Sequence, residues 1–195
     1  VWLNAHTHSA DSVKVAIKSG FRVLYHCTWS DDEAFEMMVA NKDKIFVGPA
    51  PGINWANIHE GADFGITKEV AKEQEQFETL ERVMALMPRL HKAGVRILIG
   101  GDYGFPWNAN GKNGRDLELF VNLFKYTPAE AWSAGTMLGG QIMDMGHELG
   151  LIKEGYLADM LLLDGDPLKN IKLVQDKNNI LMVRSEEHTS ELQSH

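Results

Sequence analysis

Residues 1–27, VWLNAHTHSADSVKVAIKSGFRVLYHC, decide how this chain folds. Val1 to Ala5 is a short apolar run that reads as a buried strand. From Asp11 to Ser19 the apolar residues Val13, Ala16 and Ile17 recur at helical spacing, and Gly20 suits the helix C-terminus. Arg22 to Tyr25 then reads as a second strand. Both strands are apolar with little alternation, as expected of strands covered on both faces of a parallel sheet.

The unit repeats downstream. Asp31 is placed to cap a helix with Phe35, Met38 and Val39 inward, and Ile45 to Val47 reads as a third strand. A long loop is expected next, with Pro49, Pro51, Gly52 and Trp55. Thr67 opens a helix expected to run to Ala93, with Pro88 kinking it and Gly94 ending it. Val95 to Ile99 is a fourth strand, followed by a glycine-rich loop from Gly100 to Gly114. Thr127-Pro128-Ala129-Glu130 is a capping box with proline at the first helical position. Near Gly150 the character changes, and Asp159 to Leu163 reads as a short strand bounded by the turn residues Asp164 to Pro167. Alternating strands and helices predict an α/β fold with a parallel sheet. On this reading residues 1–149 make four strand–helix units, half of a (β/α)8 TIM barrel, and residues 150–183 begin a small β domain. A flavodoxin-like doubly wound domain is the alternative topology.

Composition narrows the function classes. The 195 residues are 44% hydrophobic and 24% charged, ordinary values for a globular chain with a sizeable core. No apolar run approaches the roughly 20 residues that span a bilayer. With a net charge of −8 and no basic cluster, the chain is a poor nucleic-acid binder. Cys27 is the single cysteine, which excludes an internal disulfide and a multi-cysteine zinc site. Residues 184–195, RSEEHTSELQSH, resemble the in-frame translation of a sequencing adapter and are set aside as a non-native scar. The chain opens on Val1 and reads as an internal piece of a longer gene product. The compartment stays unassigned, with the cytoplasm favoured.

Three places carry candidate chemistry. His6 and His8 stand two apart at the end of the first strand, so both imidazoles face one side. His26 ends the second strand. Asp102 follows the fourth strand after Gly100-Gly101, where glycines let the backbone turn sharply. Each alone has an ordinary alternative as a polar strand-exit or turn residue. Together they place two kinds of ligand at the C-terminal ends of parallel strands, the edge where sites are built. Neutral imidazoles with a carboxylate suit Zn²⁺ or another divalent metal. His59, in the expected loop near Trp55, and Tyr103 and Trp107, just after Asp102, are candidate substrate contacts with surface polarity or packing as the alternative. Cys27 reads as a small packed residue, and no dinucleotide or phosphate-loop spacing is present.

The order strand–His-x-His, strand–His, then Ile99-Gly100-Gly101-Asp102 resembles the second half of an amidohydrolase-superfamily barrel. Gly150 to Leu168, with Gly155, Ala158-Asp159 and Asp164 to Pro167, is similar to the superfamily's return into its small β-sandwich. The resemblance covers nearly all of Val1 to Val183 and lies toward the imidazolonepropionase-like and prolidase-like branch. It implies that His6 belongs to the fifth barrel strand, His26 to the sixth and Asp102 to the eighth. It implies further that His6 and His26 bind metal, that Asp102 binds metal or the attacking water and moves its proton, and that His8, Tyr103, Trp107 and His59 line the substrate pocket. One or two divalent ions and a small amide or dipeptide substrate would follow, with the remaining ligands upstream of Val1 and this piece alone inactive and poorly soluble. A homo-oligomeric parent, and neither nucleic acid nor membrane as partner, complete the expectation. The rival chemistries are cyclic-amide opening and deamination. Ser9 stands where deaminases of the superfamily carry glutamate, which speaks against the second. A non-catalytic α/β ligand-binding module is the rival from another class.

Overall fold

The computed structural model describes residues 2–185 and the backbone of residues 189–191. Val1 of the first expected strand, and residues 186–188 and 192–195 of the stretch set aside, lie outside the described residues. Strand β1 (Asn4–Ser9), helix α1 (Ala10–Lys18), β2 (Val23–Trp29), α2 (Asp32–Ala40) and β3 (Phe46–Gly48) follow in strict alternation. Ser9 caps α1 by accepting from the Ser12 amide, and Asp31 caps α2 by accepting from the Ala34 amide. The region beyond β3 departs from expectation. Where a loop was expected, Pro51–His59 forms helix α3, with Pro51 in its first turn and Ala50 before it in the left-handed region. Proline there is compatible with a helix start because its missing N–H would have no intrahelical partner. The long helix expected from Thr67 is two, α4 (Lys68–Glu73) and α5 (Gln76–Lys92). They break at Glu75, whose φ is +56°. The break lets Gln76 Oε1 accept from both Asn54 and Asn57 of α3, at 2.9 and 3.0 Å. Helix α5 runs through Pro88.

Strand β4 (Arg96–Ile97) completes a parallel sheet ordered β1-β2-β3-β4. Chain order and spatial order coincide, so the reversal that defines a flavodoxin-like domain is absent among the described strands. Val13, Leu24, Met38, Val47, Met87, Leu90, Ile97 and Phe120 fill the main core between this sheet and its helices. The neighbouring residues Val23, Phe46 and Leu98 point to the other face, where α8 (Met137–Ile142) packs Leu138 and Ile142 on them. This two-sided burial is why β2 and β3 read as apolar runs, whereas β1 begins at Asn4, past most of the run Val1–Ala5 expected to form it, and buries only Thr7 because it carries the polar residues of the sheet edge. Helix α6 (Arg115–Phe124) leads to α7 (Pro128–Gly135), whose capping box forms as expected: Thr127 and Glu130 exchange both bonds. A separate antiparallel sheet joins β5 (Met160–Leu163), β6 (Ile180–Arg184) and the β7 backbone (Thr189–Glu191).

Candidate functional site

The C-terminal ends of β1 and β2 bring three imidazoles together. His6 and His8 share one face of β1, and their Nε2 atoms lie 2.9 Å apart. His26 joins them, with ring centroids 4.6 Å from His6 and 4.5 Å from His8. Period two alone would not place it there. His26 pairs with Thr7, which is buried on the opposite face from His6, and Tyr25 already faces the site. The register then slips: Thr7 pairs with His26 but Ser9 with Trp29, leaving one extra residue in β2. At this bulge His26 and Cys27 take φ values of +64° and +55°. A bulge re-aims side chains, and here it turns His26 onto the face its neighbour Tyr25 already occupies. Cys27 is fully buried beside Thr7, its thiol pushed up to about 12 by burial, and acts as packing.

One ligand atom from each imidazole falls within a 4.8 Å spread. A tetrahedral ion with bonds of about 2.0–2.1 Å holds its ligands about 3.4 Å apart, a value this spread brackets. Burial, followed by the neighbouring His8 and His6, holds His26 down to about 4, against the opposing pull of Asp102. Burial and His6 likewise lower His8, again opposed by Asp102. Both rings are thus neutral near pH 7, the form that ligates a metal. Three imidazoles this close, with His8 and His26 held neutral and each offering a lone pair, fit a divalent ion.

Asp102 lines the same cavity as His6 and His26, outside the tight histidine group. It too is left-handed, with φ +54°. The cavity encloses about 520 Å³, and Tyr25, Leu98, Ile99 and Ile142 supply much of its wall. His8 stands in the imidazole group rather than among the cavity-lining residues. Tyr103, Trp107 and His59 are not brought to the cavity either. The Tyr103 hydroxyl donates to Lys112 O at 3.2 Å, Trp107 Nε1 donates to Asn57 Oδ1 at 2.6 Å, and His59 lies tilted against the Trp55 ring. Tyr25 and the α8 wall carry no sequence signal of this role, since only the folded arrangement brings them to the histidines.

Three histidines and an aspartate thus gather at the C-terminal edge of an unreversed parallel sheet. The family profile described as the amidohydrolase family matches residues 4–185, and the chain belongs to that family. It is 29% identical over 185 residues to ochratoxinase of Aspergillus niger, covering 93% of this chain and 36% of that protein. The crystal structure of a Xaa-Pro dipeptidase with bound methionine superposes with a TM-score of 0.81 at 22% identity, covering 98% of this chain and 45% of that one. A prolidase complexed with N-methylphosphonate-L-proline gives 0.83 at 23% identity, over 98% and 45%. The chain therefore spans less than half the length of each of these proteins. Among the described residues no helix is long and apolar enough to cross a membrane.

Proposed function

We propose that this chain is the C-terminal part of a metal-dependent hydrolase that cleaves the C–N bond of small amides, such as dipeptides or N-acyl amino acids. The observation that carries the reading is the convergence of His6, His8 and His26 on one point beside Asp102. In this assignment β1 to β4 are the fifth to eighth strands of a (β/α)8 barrel, and β5 and β6 belong to a β-sandwich. The names of the ochratoxinase, dipeptidase and prolidase relatives support the bond type.

His6 and His26 would hold a divalent ion, with His8 close enough to serve as a further ligand. Zn²⁺ is the first choice for such imidazoles. Such an ion lowers the pKa of water and polarises a carbonyl. Asp102 lines the same cavity as His6 and His26, where it would accept the proton of the attacking water and return it to the leaving nitrogen. The neutral state of His26 keeps its lone pair available for ligation. Tyr25, Leu98, Ile99 and Ile142 exclude water around the scissile bond and favour an apolar or aromatic substrate portion. The test is turnover by the longer parent protein. Zn²⁺- or Co²⁺-loaded parent should release amino acid from a panel of dipeptides and N-acyl amino acids, and Asp102→Asn should abolish release. Absence of turnover with every metal and substrate overturns the proposal, and ammonia as product favours deamination instead.

A further inference from the structure

We propose that Asn108 is a positioning residue that holds Asp102 in its left-handed turn, and that Arg115 and Glu60 lock Asn108 in place. The inference rests on the role given to Asp102 above. A non-glycine residue at φ +54° persists only where its surroundings impose that backbone. Here one side chain bonds the turn directly. Asn108 is fully buried, and its Nδ2 donates to two consecutive carbonyls, Gly101 O and Asp102 O, each at 2.9 Å. Both carbonyls must therefore point to one side, which fixes the peptide between them.

The carboxamide has only one workable orientation. Its Oδ1 accepts from Arg115 Nη2, and a guanidinium only donates. Reversing the amide would set its oxygen against two carbonyl oxygens and its NH2 against Arg115. Arg115 is itself anchored: Nη1 pairs with Glu60 Oε1 at 2.9 Å, and Lys112 holds the other oxygen of Glu60 at 2.9 Å. Backbone packing closes the remaining side. A Cβ on Gly52, in the first turn of α3, would lie 2.8 Å from Gly101 Cα, so helix and loop meet without side chains between them. The chain of contacts from Glu60 through Arg115 and Asn108 ends on the carbonyl of Asp102, and every link is a hydrogen bond or ion pair.

Asn108→Asp separates this role from packing. It has the same size and keeps an acceptor for Arg115, but has no N–H for the two carbonyls. The first readout is the Asp102 backbone in the metal-free, isotope-labelled chain, taken from its three-bond HN–Hα coupling and its Cα shift. The expected result is loss of the left-handed signature at Asp102 with retention at His26. Glu60→Gln, at the partly exposed end of the chain of contacts, should give a smaller change in the same direction and serves if Asn108→Asp does not fold. The second readout is steady-state hydrolysis by the longer parent. Asn108→Asp should lower kcat by about 100-fold with KM within about twofold, as expected when a reacting group is misplaced by about 1 Å. A folded Asn108→Asp protein with the Asp102 signature intact, or with kcat unchanged, overturns the proposal. If Asp102→Asn keeps full turnover, the role of Asp102 fails, and the coupling constant alone then decides whether Asn108 sets its conformation.

Discussion

Asp116 sits behind the Asp102 loop, 1% exposed, and neither of its carboxylate oxygens has a hydrogen-bond partner in protein. The Tyr103 hydroxyl donates to Lys112 O at 3.2 Å and lies close enough to Asp116 to favour its charged form. Burial raises the Asp116 carboxyl from 3.8 to about 6, partly offset by Tyr103 and Arg115. At pH 7 the group is ionised in both states, but the folded state holds that charge in a poorer environment. Between pH 3.8 and 6 the folded chain binds more protons than the unfolded one, so this group makes stability fall as pH rises through that window. The shift corresponds to about 3 kcal/mol. Asp116→Asn has nearly the same shape and no titration. The stability of the variant relative to the parent, measured by urea unfolding, should therefore rise by about 3 kcal/mol from pH 3.5 to pH 7.5. Comparing the difference across pH cancels the other carboxylates and any fixed loss from an unpaired amide. A difference that stays flat across the window would mean that the charge is as well accommodated in the fold as in water.

Other expectations follow from the same geometry. His26, held down to about 4, stays neutral in the metal-free fold while the unfolded chain protonates near 6.5. Stability should be lost as pH falls from 6.5 toward 4, by about 2 kcal/mol after allowing for its partial exposure, and His26→Gln should remove that slope in urea titrations. Gly101→Ala would set a Cβ 2.7 Å from Asp116 Oδ1 and against the Tyr103 ring. It should destabilise by about 1–3 kcal/mol, read by thermal unfolding. Thr127→Ala removes half of the α7 capping box and should lower stability by about 1 kcal/mol, with no effect on metal affinity.

The strand–helix units could be read from sequence because their signals are local: apolar runs for β2 and β3, Asp and Thr caps, and glycine stops; β1 instead forms at Asn4–Ser9, beyond most of the apolar run Val1–Ala5. The shared face of His6 and His8 is likewise a two-residue property. His26 differs. Period two assigns it to the buried face with Thr7, and only the bulge at His26–Cys27 brings it to the others, a feature set by pairing between strands. Helix α3 stayed hidden because Pro49, Pro51 and Gly52 are strong loop signals, whereas its packing against α5 is a long-range effect. Tyr103 and Trp107 follow Asp102 closely in sequence, yet the turn at Asp102 sends both away from the cavity. Asn108 and Arg115 carry no local signature at all. Their roles arise where the Asp102 loop meets the buried start of α6 and Glu60 just after α3.

Calorimetric titration of the metal-free chain with Zn²⁺ at pH 7 tests directly whether the histidines form a metal centre. A metal centre there gives saturable binding of one ion per chain, lost when His6 and His26 are both changed to alanine, with the variant still folded. Binding that is absent from the parent chain, or undiminished in the double variant, would contradict it.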